Sequence, residues 1–254
     1  AGQYQLETGQ SVFSVLERLS QGGATAINVA IPPGLTVRQI GKIYEEKIGV
    51  NASRLEDLCG DEKFIQSLGL DLKHLEGYLF PETYNFYWKT SEELVIKTML
   101  AELTSMVKND SLLEPTGKNQ DEFYRMLILA SMIEKEGLAK VEYPLISAVF
   151  HNRLRINMPL QCDPTILYVL PDLNRPIRPK DLQLDSPYNT YKYYGLPPGP
   201  ICNPGRNAIL AAFGPADVKY LYFVHKGDGT HIFSRSLQEH NRAIWQIRKS
   251  KTAM

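Results

Sequence analysis

The chain has 254 residues, 43% hydrophobic and 22% charged, and its 28 basic and 28 acidic residues leave a formal net charge of zero. This length and apolar content supply a core for one large or two smaller domains, and the balanced charge excludes the electrostatic footprint of a nucleic-acid-binding protein. Cys59, Cys162 and Cys202 are far apart and odd in number, so they read as neither a metal-ligand set nor a disulfide framework.

No apolar run is long enough to span a bilayer and no signal peptide is legible. The chain begins Ala-Gly, which reads as a processed or truncated product whose N-terminal anchor would be invisible here.

The first part contains a short internal repeat. Leu6, Thr8, Gly9, Ser11, Val12 and Val15 recur in the same order as Ile31, Pro33, Gly34, Thr36, Val37 and Ile40. Each copy predicts a short strand, a glycine turn, a Ser/Thr N-cap and an amphipathic helix, over 12–19 and 37–47. Residues 51–70 read as helical and polar, with breaks at Gly60 and Gly69. HLEGYLFPETYNFYW, residues 74–88, is dense in aromatics and reads as an extended or turn segment lying on the core. Ser91 and Glu93 open a helix to about 108, and a polar loop over 109–118 follows.

Residues 119–137, NQDEFYRMLILASMIEKEG, organise the rest. Asn119 with Glu122 is a capping-box start, and Gly137 reads as the C-terminal stop. A step of 100° per residue puts Phe123, Met126, Leu127 and Ala130 on one face, with Glu134 near its middle. A carboxyl there is expected to be partly desolvated and to sit at the unfavourable end of the helix dipole, two effects that raise a pKa and suit a proton donor. Glu136 lies off this face and reads as a solvated helix end.

Pro144 suits the first turn of the next helix, which carries His151, Asn152 and Arg153. Asp163-Pro164 reads as an N-cap followed by Pro at the first position of a helix over 165–170. Residues 171–204 hold eight of the chain's 16 prolines, and SPYNTYKYYGLPPGPICNPG at their end contributes four tyrosines. Fixed-φ prolines with that many aromatics predict a stiff, ordered wall rather than a linker. A short helix over 207–213, a hairpin of 220–225 with 231–234 around Lys-Gly-Asp-Gly-Thr, and a last helix from 237 to about 249, capped by Ser236 with Glu239, complete the chain.

No P-loop and no G-x-S-x-G elbow is present. His225, His231 and His240 lack an acidic or cysteine partner at metal-ligand spacing, so no metal or cofactor is expected. What remains is one well-placed acid, Glu134, with polar residues and a Tyr/Asn/Pro-rich wall. This set suits glycosidic bond cleavage. Ordinary glycoside hydrolases add a second carboxylate; Glu136 points the wrong way for this, and Asp163, Glu82 and Glu76 are the alternatives. With one acid alone, the substrate must supply its own nucleophile.

The motifs EGYLFPETY (76–84), LASMIEKE (129–136), VFHNRLRINMPLQCDPTILY (149–168), YNTY (188–191), GLPPGPICNPG (195–205) and YLYFV…HIF…EHN resemble the endolytic murein transglycosylases of the MltG (YceG-like) family, in order over nearly the whole chain. Gly137 departs from that pattern, where a Thr or other small residue is common, as does Cys162 within LQ-x-DPT.

The resemblance implies an α+β fold: a small LysM-like β-α repeat module over residues 1–72, then a mostly helical catalytic domain over 73–254 with a β-hairpin and a long Pro/Tyr-rich loop. It implies one catalytic glutamate, which falls on Glu134, and Asn152, Arg153, Gln161, Asp163, Tyr188, Asn189 and Thr190 as substrate-binding candidates. For Arg153 a salt bridge, and for Asn189 and Thr190 a satisfied turn, are equally open readings. The implied reaction cuts the MurNAc–GlcNAc β-1,4 bond within peptidoglycan strands and leaves 1,6-anhydro ends, so nascent strands are terminated or trimmed. Penicillin-binding glycan polymerases are the implied partners. The implied location is the cytoplasmic (inner) membrane, through an N-terminal helix that this chain lacks, with the catalytic part on the periplasmic, extracytoplasmic side. A muramidase hydrolysing the same bond and a non-catalytic peptidoglycan-binding scaffold are the competing readings.

Overall fold

The structure is a computed structural model that describes residues 8–20, 25–113 and 119–252. It is of the α+β type, with helices and small antiparallel sheets, and divides into two compact units, one ending at Leu103 and one beginning at Thr104.

In the first unit, helix α1 (Val12–Ser20), strand β1 (Ile27–Ala30) and helix α2 (Val37–Ile48) follow the predicted repeat. The two copies agree in their turns and caps. Gly9 and Gly34 both take positive φ, +93° and +84°, which side chains resist. Ser11 Oγ accepts from the N–H of Ser14, and Thr36 forms a full capping box with Gln39. The strand expected around Leu6 lies outside the described residues. Val37, Ile40, Gly41, Tyr44 and Ile48 are the buried face of α2, the 3-4 spacing of an amphipathic helix. The carboxylate of Glu76, itself buried, accepts from the N–H of Val37 with both oxygens and adds a second cap to α2.

The break expected at Gly60 falls one residue later. Helix α3 (Ala52–Gly60) ends and α4 (Glu62–Ser67) begins at Asp61, whose side chain accepts from the N–H groups of Lys63 and Phe64. Capping by a short carboxylate decides this boundary, not glycine freedom.

The aromatic segment contains strand β2 (Thr83–Phe86), antiparallel to β1 with Val29 opposite Tyr84 and Ile27 opposite Phe86. That pairing draws residues beyond 72 into the first unit, as does Met99 of helix α5 (Glu92–Lys108), whose sulfur accepts from the hydroxyl of Tyr44. The division between compact units therefore lies well past the expected domain boundary.

The second unit is built on helix α6 (Gln120–Glu136), which packs against α7 (Tyr143–Arg155), α8 (Asp163–Val169) and α9 (Arg206–Phe213). Asn119 caps α6 by accepting from the N–H of Glu122. Every residue from Leu127 to Ile133 is buried. At about 1.5–3 kcal/mol for each large aliphatic side chain taken from water, this stretch anchors the unit.

Helix α8 starts at Asp163 with Cys162 as its N-cap, so Pro164 occupies the second position and Asp163 the first. The hairpin forms as expected from β3 (Tyr222–His225) and β4 (His231–Ser234), and α10 (Leu237–Thr252) packs on both strands. The three histidines there are structural: His231 Nδ1 lies 2.8 Å from Glu142 Oε2, His225 Nδ1 accepts from the N–H of Gly227, and His240 stacks on Tyr222.

Candidate active site

The burial of α6 ends one residue before Glu134, so the chain delivers a half-buried carboxyl at the rim of its core. Two donors from elsewhere in the second unit hold that carboxyl. The hydroxyl of Tyr143, first residue of α7, lies 3.0 Å from Glu134 Oε1, and the N–H of Gly205, the N-cap of α9, donates to Oε2 at 2.9 Å. The dipole expectation for Glu134 is thereby incomplete. The negative end of its own helix is present, but the positive end of α9 begins at the same carboxyl.

The proline-rich loop brings Gly205 there, running beside α6 in the same direction. The Tyr124 hydroxyl donates to the carbonyl of Pro198 at 3.2 Å, the N–H of Ile201 donates to Ser131 Oγ at 3.0 Å, and Gly205 then reaches Glu134. These three contacts hold the end of the loop against α6. Gly199 fits where it does because a Cβ would stand 3.0 Å from the hydroxyls of both Tyr124 and Tyr188.

Gly137 follows α6 with φ −90° and ψ 126°, a conformation open to any residue. It is the C-cap of α6, as expected, and packing rather than backbone freedom explains the glycine. A Cβ would come within 2.7 Å of Tyr143 Cδ1, and closer still to Cε1. The Tyr143 ring fills the space that a side chain at 137 would need.

Glu136 corrects the sequence reading. It is not a fully solvated helix end but a half-buried carboxyl beside Cys162, Asp163 and Arg153. Burial pushes its pKa up to about 7; Asp163 pushes the same way, while the Cys162 thiol and the Arg153 guanidinium oppose the rise. Periodicity missed this because the neighbours come from α7 and from the start of α8.

The expected substrate-binding residues divide into two sets. Asn152, Arg153, Asn189 and Thr190 spend their polar atoms inside the protein. Asn152 Nδ2 donates to the carbonyls of Val218 and Tyr220, and the buried Arg153 donates to those of Leu221, Pro159 and Leu160 with Tyr222 beneath its guanidinium. Asn189 Nδ2 donates to Leu182 and Leu184, and Thr190 Oγ1 accepts from the N–H of Cys162. These bonds stitch the Pro/Tyr-rich loop to α8 and the segment before β3 to α7. Gln161 and Asp163 are exposed and Tyr188 is half-buried. Gln161 takes φ +49°, and Asp163 accepts from the hydroxyl of Tyr191. Tyr188 packs its ring 5.0 Å from that of Tyr168.

Of the alternative second carboxylates, Glu76 is committed to capping α2 and Glu82 is exposed. Among the described residues no cluster of His, Cys, Asp and Glu is arranged to hold a metal ion. The three cysteines are buried.

Residues 1–246 match the family model described as "YceG-like family". The chain belongs to the YceG-like family. An endolytic murein transglycosylase of Bacillus subtilis is 36% identical over 99% of this chain and 74% of its own length. One from Streptococcus pneumoniae strain R6 is 33% identical, again over 99% of this chain but only 51% of that protein. The crystal structure of a YceG-like protein from Listeria monocytogenes superposes with a TM-score of 0.75 at 34% identity, covering 94% of this chain and 83% of that one. Within this YceG-like chain, the LASMIEKE motif supplies both carboxyls of the last turn of α6, and only the fold separates their surroundings.

Proposed function

We propose that this YceG-like chain is a lytic murein transglycosylase that cuts MurNAc–GlcNAc β-1,4 bonds within glycan strands, with Glu134 as its single catalytic carboxyl. The observation that carries the assignment is the mounting of Glu134: a half-buried carboxyl ending a buried helix, with each oxygen bonded to a different element. Such preorganisation limits the reorientation that a proton donor must undergo during reaction. The relatives named endolytic murein transglycosylases support the reaction class.

In the proposed course, protonated Glu134 gives its proton to the glycosidic oxygen as the C1–O bond breaks. The resulting carboxylate then takes the proton of the MurNAc C6 hydroxyl, whose oxygen bonds to C1 and closes a 1,6-anhydro ring. One bond to C1 is exchanged for another, Glu134 regains its proton, and no water is consumed. Gln161, Asp163 and Tyr188 are the candidates to touch the strand, while Asn152, Arg153, Asn189 and Thr190 hold the wall in shape.

The finer biological reading belongs to the same proposal. The repeat of the first unit acts as a LysM-like glycan-binding module, and penicillin-binding glycan polymerases supply the nascent strands. The catalytic part works on the extracytoplasmic side of the cytoplasmic membrane. Among the described residues no helix is long and apolar enough to cross a membrane, so attachment would use a segment outside them.

Digestion of purified sacculi followed by mass spectrometry tests the activity. Anhydro ends that disappear in Glu134→Gln support the proposal. Reducing ends would favour a muramidase, and binding without cleavage, unchanged in Glu134→Gln, a scaffold.

A further inference from the structure

We propose that Tyr143 is a positioning residue for Glu134, its hydroxyl holding Oε1 both before the carboxyl gives up its proton and after. This inference rests on the reading of Glu134 as the catalytic acid. Three observations support it. The Tyr143 ring is buried, with its hydroxyl 3.0 Å from Glu134 Oε1 and 3.3 Å from the carbonyl oxygen of Gly137. Gly205 holds the other carboxyl oxygen, so the two contacts together fix the carboxyl plane. Finally, the ring reaches this place only because residue 137 has no side chain.

The Tyr143 hydroxyl has one hydrogen and two acceptors within reach. With the Glu134 proton on Oε2, free to point at the glycosidic oxygen, that hydrogen is donated to Oε1 as a neutral carbonyl oxygen. With Glu134 ionised, the same bond runs to a carboxylate oxygen, so neither group has to move. Burial, with the negative charge of Glu134 beside it, holds the Tyr143 hydroxyl well above its ordinary range, so it keeps its own proton throughout. Tyr143 is thus not the acid. Its bond strengthens as charge develops on Glu134, because hydrogen bonds to ionised acceptors are stronger than those to neutral ones. An interaction that grows toward the transition state acts on kcat rather than on KM.

Gly137, where relatives of this type were expected to carry Thr or another small residue, is the other half of the arrangement. The glycine makes room and the tyrosine occupies it.

The test compares Tyr143→Phe, Gly137→Ala and Glu134→Gln with the unaltered chain on soluble, uncrosslinked glycan strands. Anhydro ends are counted by mass spectrometry, and thermal unfolding is followed in parallel. Tyr143→Phe keeps the ring and its packing. Its kcat should fall about 10- to 100-fold, the scale of one hydrogen bond to a charged group, with KM within about 2-fold and the protein still fully folded at the assay temperature. Gly137→Ala should displace the ring and lower kcat as well, and adding Tyr143→Phe to it should cost little more, since both remove one contact.

If Glu134→Gln is inactive while Tyr143→Phe keeps kcat within about 2-fold, the inference on Tyr143 falls and the catalytic reading stands. A Tyr143→Phe loss that appears in KM, or that follows unfolding, also overturns it, as a purely structural role. Activity retained by Glu134→Gln overturns the catalytic reading itself, and this inference with it.

Discussion

Two carboxyls leave the last turn of α6 two positions apart and meet opposite surroundings. Glu134 meets donors, the hydroxyl of Tyr143 and the N–H of Gly205, and keeps part of its surface in solvent. Glu136 meets a buried thiol, a second carboxylate and the guanidinium of Arg153, which is already committed to three main-chain carbonyls. Burial outweighs that positive charge and lifts Glu136 to about 7. A perturbed carboxyl is a common sign of a functional site, yet the raised pKa of Glu136 comes with its place beside the start of α8. Both carboxyls are half-buried, so the preformed donor on each oxygen picks out Glu134.

The largest expected effect separates the two directly. Glu134→Gln should lower the rate of anhydro-end formation by roughly 10²–10⁴-fold, the range for loss of a general acid, with the unfolding temperature nearly kept. Glu136→Gln should leave the rate within about 10-fold of the unaltered chain, below the range for loss of a general acid. Equal losses in the two variants would erase the distinction.

The next effect is on stability and has a definite sign. Between the ordinary carboxyl range and about 7 the folded protein binds a proton at Glu136 that the unfolded chain releases. Stability linked to this group is therefore fully present at acidic pH and declines as pH rises through 7, by on the order of 3 kcal/mol. Glu136→Gln removes the ionisation while keeping the shape. Chemical denaturation should find the variant more stable than the parent at pH 8 by about 1–3 kcal/mol, with the gap closing at pH 5. A variant less stable at pH 8 would mean that the nearby Arg153 charge and the Cys162 thiol outweigh burial.

Cys162→Ala sharpens the same point on a smaller scale. The thiol lowers the Glu136 pKa, so its loss should destabilise the fold more at pH 8 than at pH 5, with a difference of about 1 kcal/mol. The smallest effect is expected from Tyr191→Phe, which deletes the hydroxyl bonded to the exposed Asp163 and should cost about 0.5–1 kcal/mol. A change of several-fold in KM for glycan strands in that variant would place Asp163 in contact with substrate.

Much of this molecule was legible from local pattern. Met126 to Ile133, apolar or small on every side, announced a buried helix, Thr36 a capped one, and Lys-Gly-Asp-Gly-Thr a hairpin, because caps, turns and apolar periods act within a few residues of themselves. The LASMIEKE motif likewise put a carboxyl at the end of that helix.

Which neighbours each carboxyl would meet was not local. Tyr143 reaches Glu134 from the start of the next helix, Gly205 from the far end of a proline-rich loop, and Cys162 reaches Glu136 from the N-cap of α8. Gly137 stops α6 as read, but the reason it is glycine was not local, since its constraint is the ring of a residue packed against it from another element. Helices, caps and turns are written in neighbouring residues; burial, hydrogen-bond partners and charge environment depend on segments distant in the chain, and only folding brings those together.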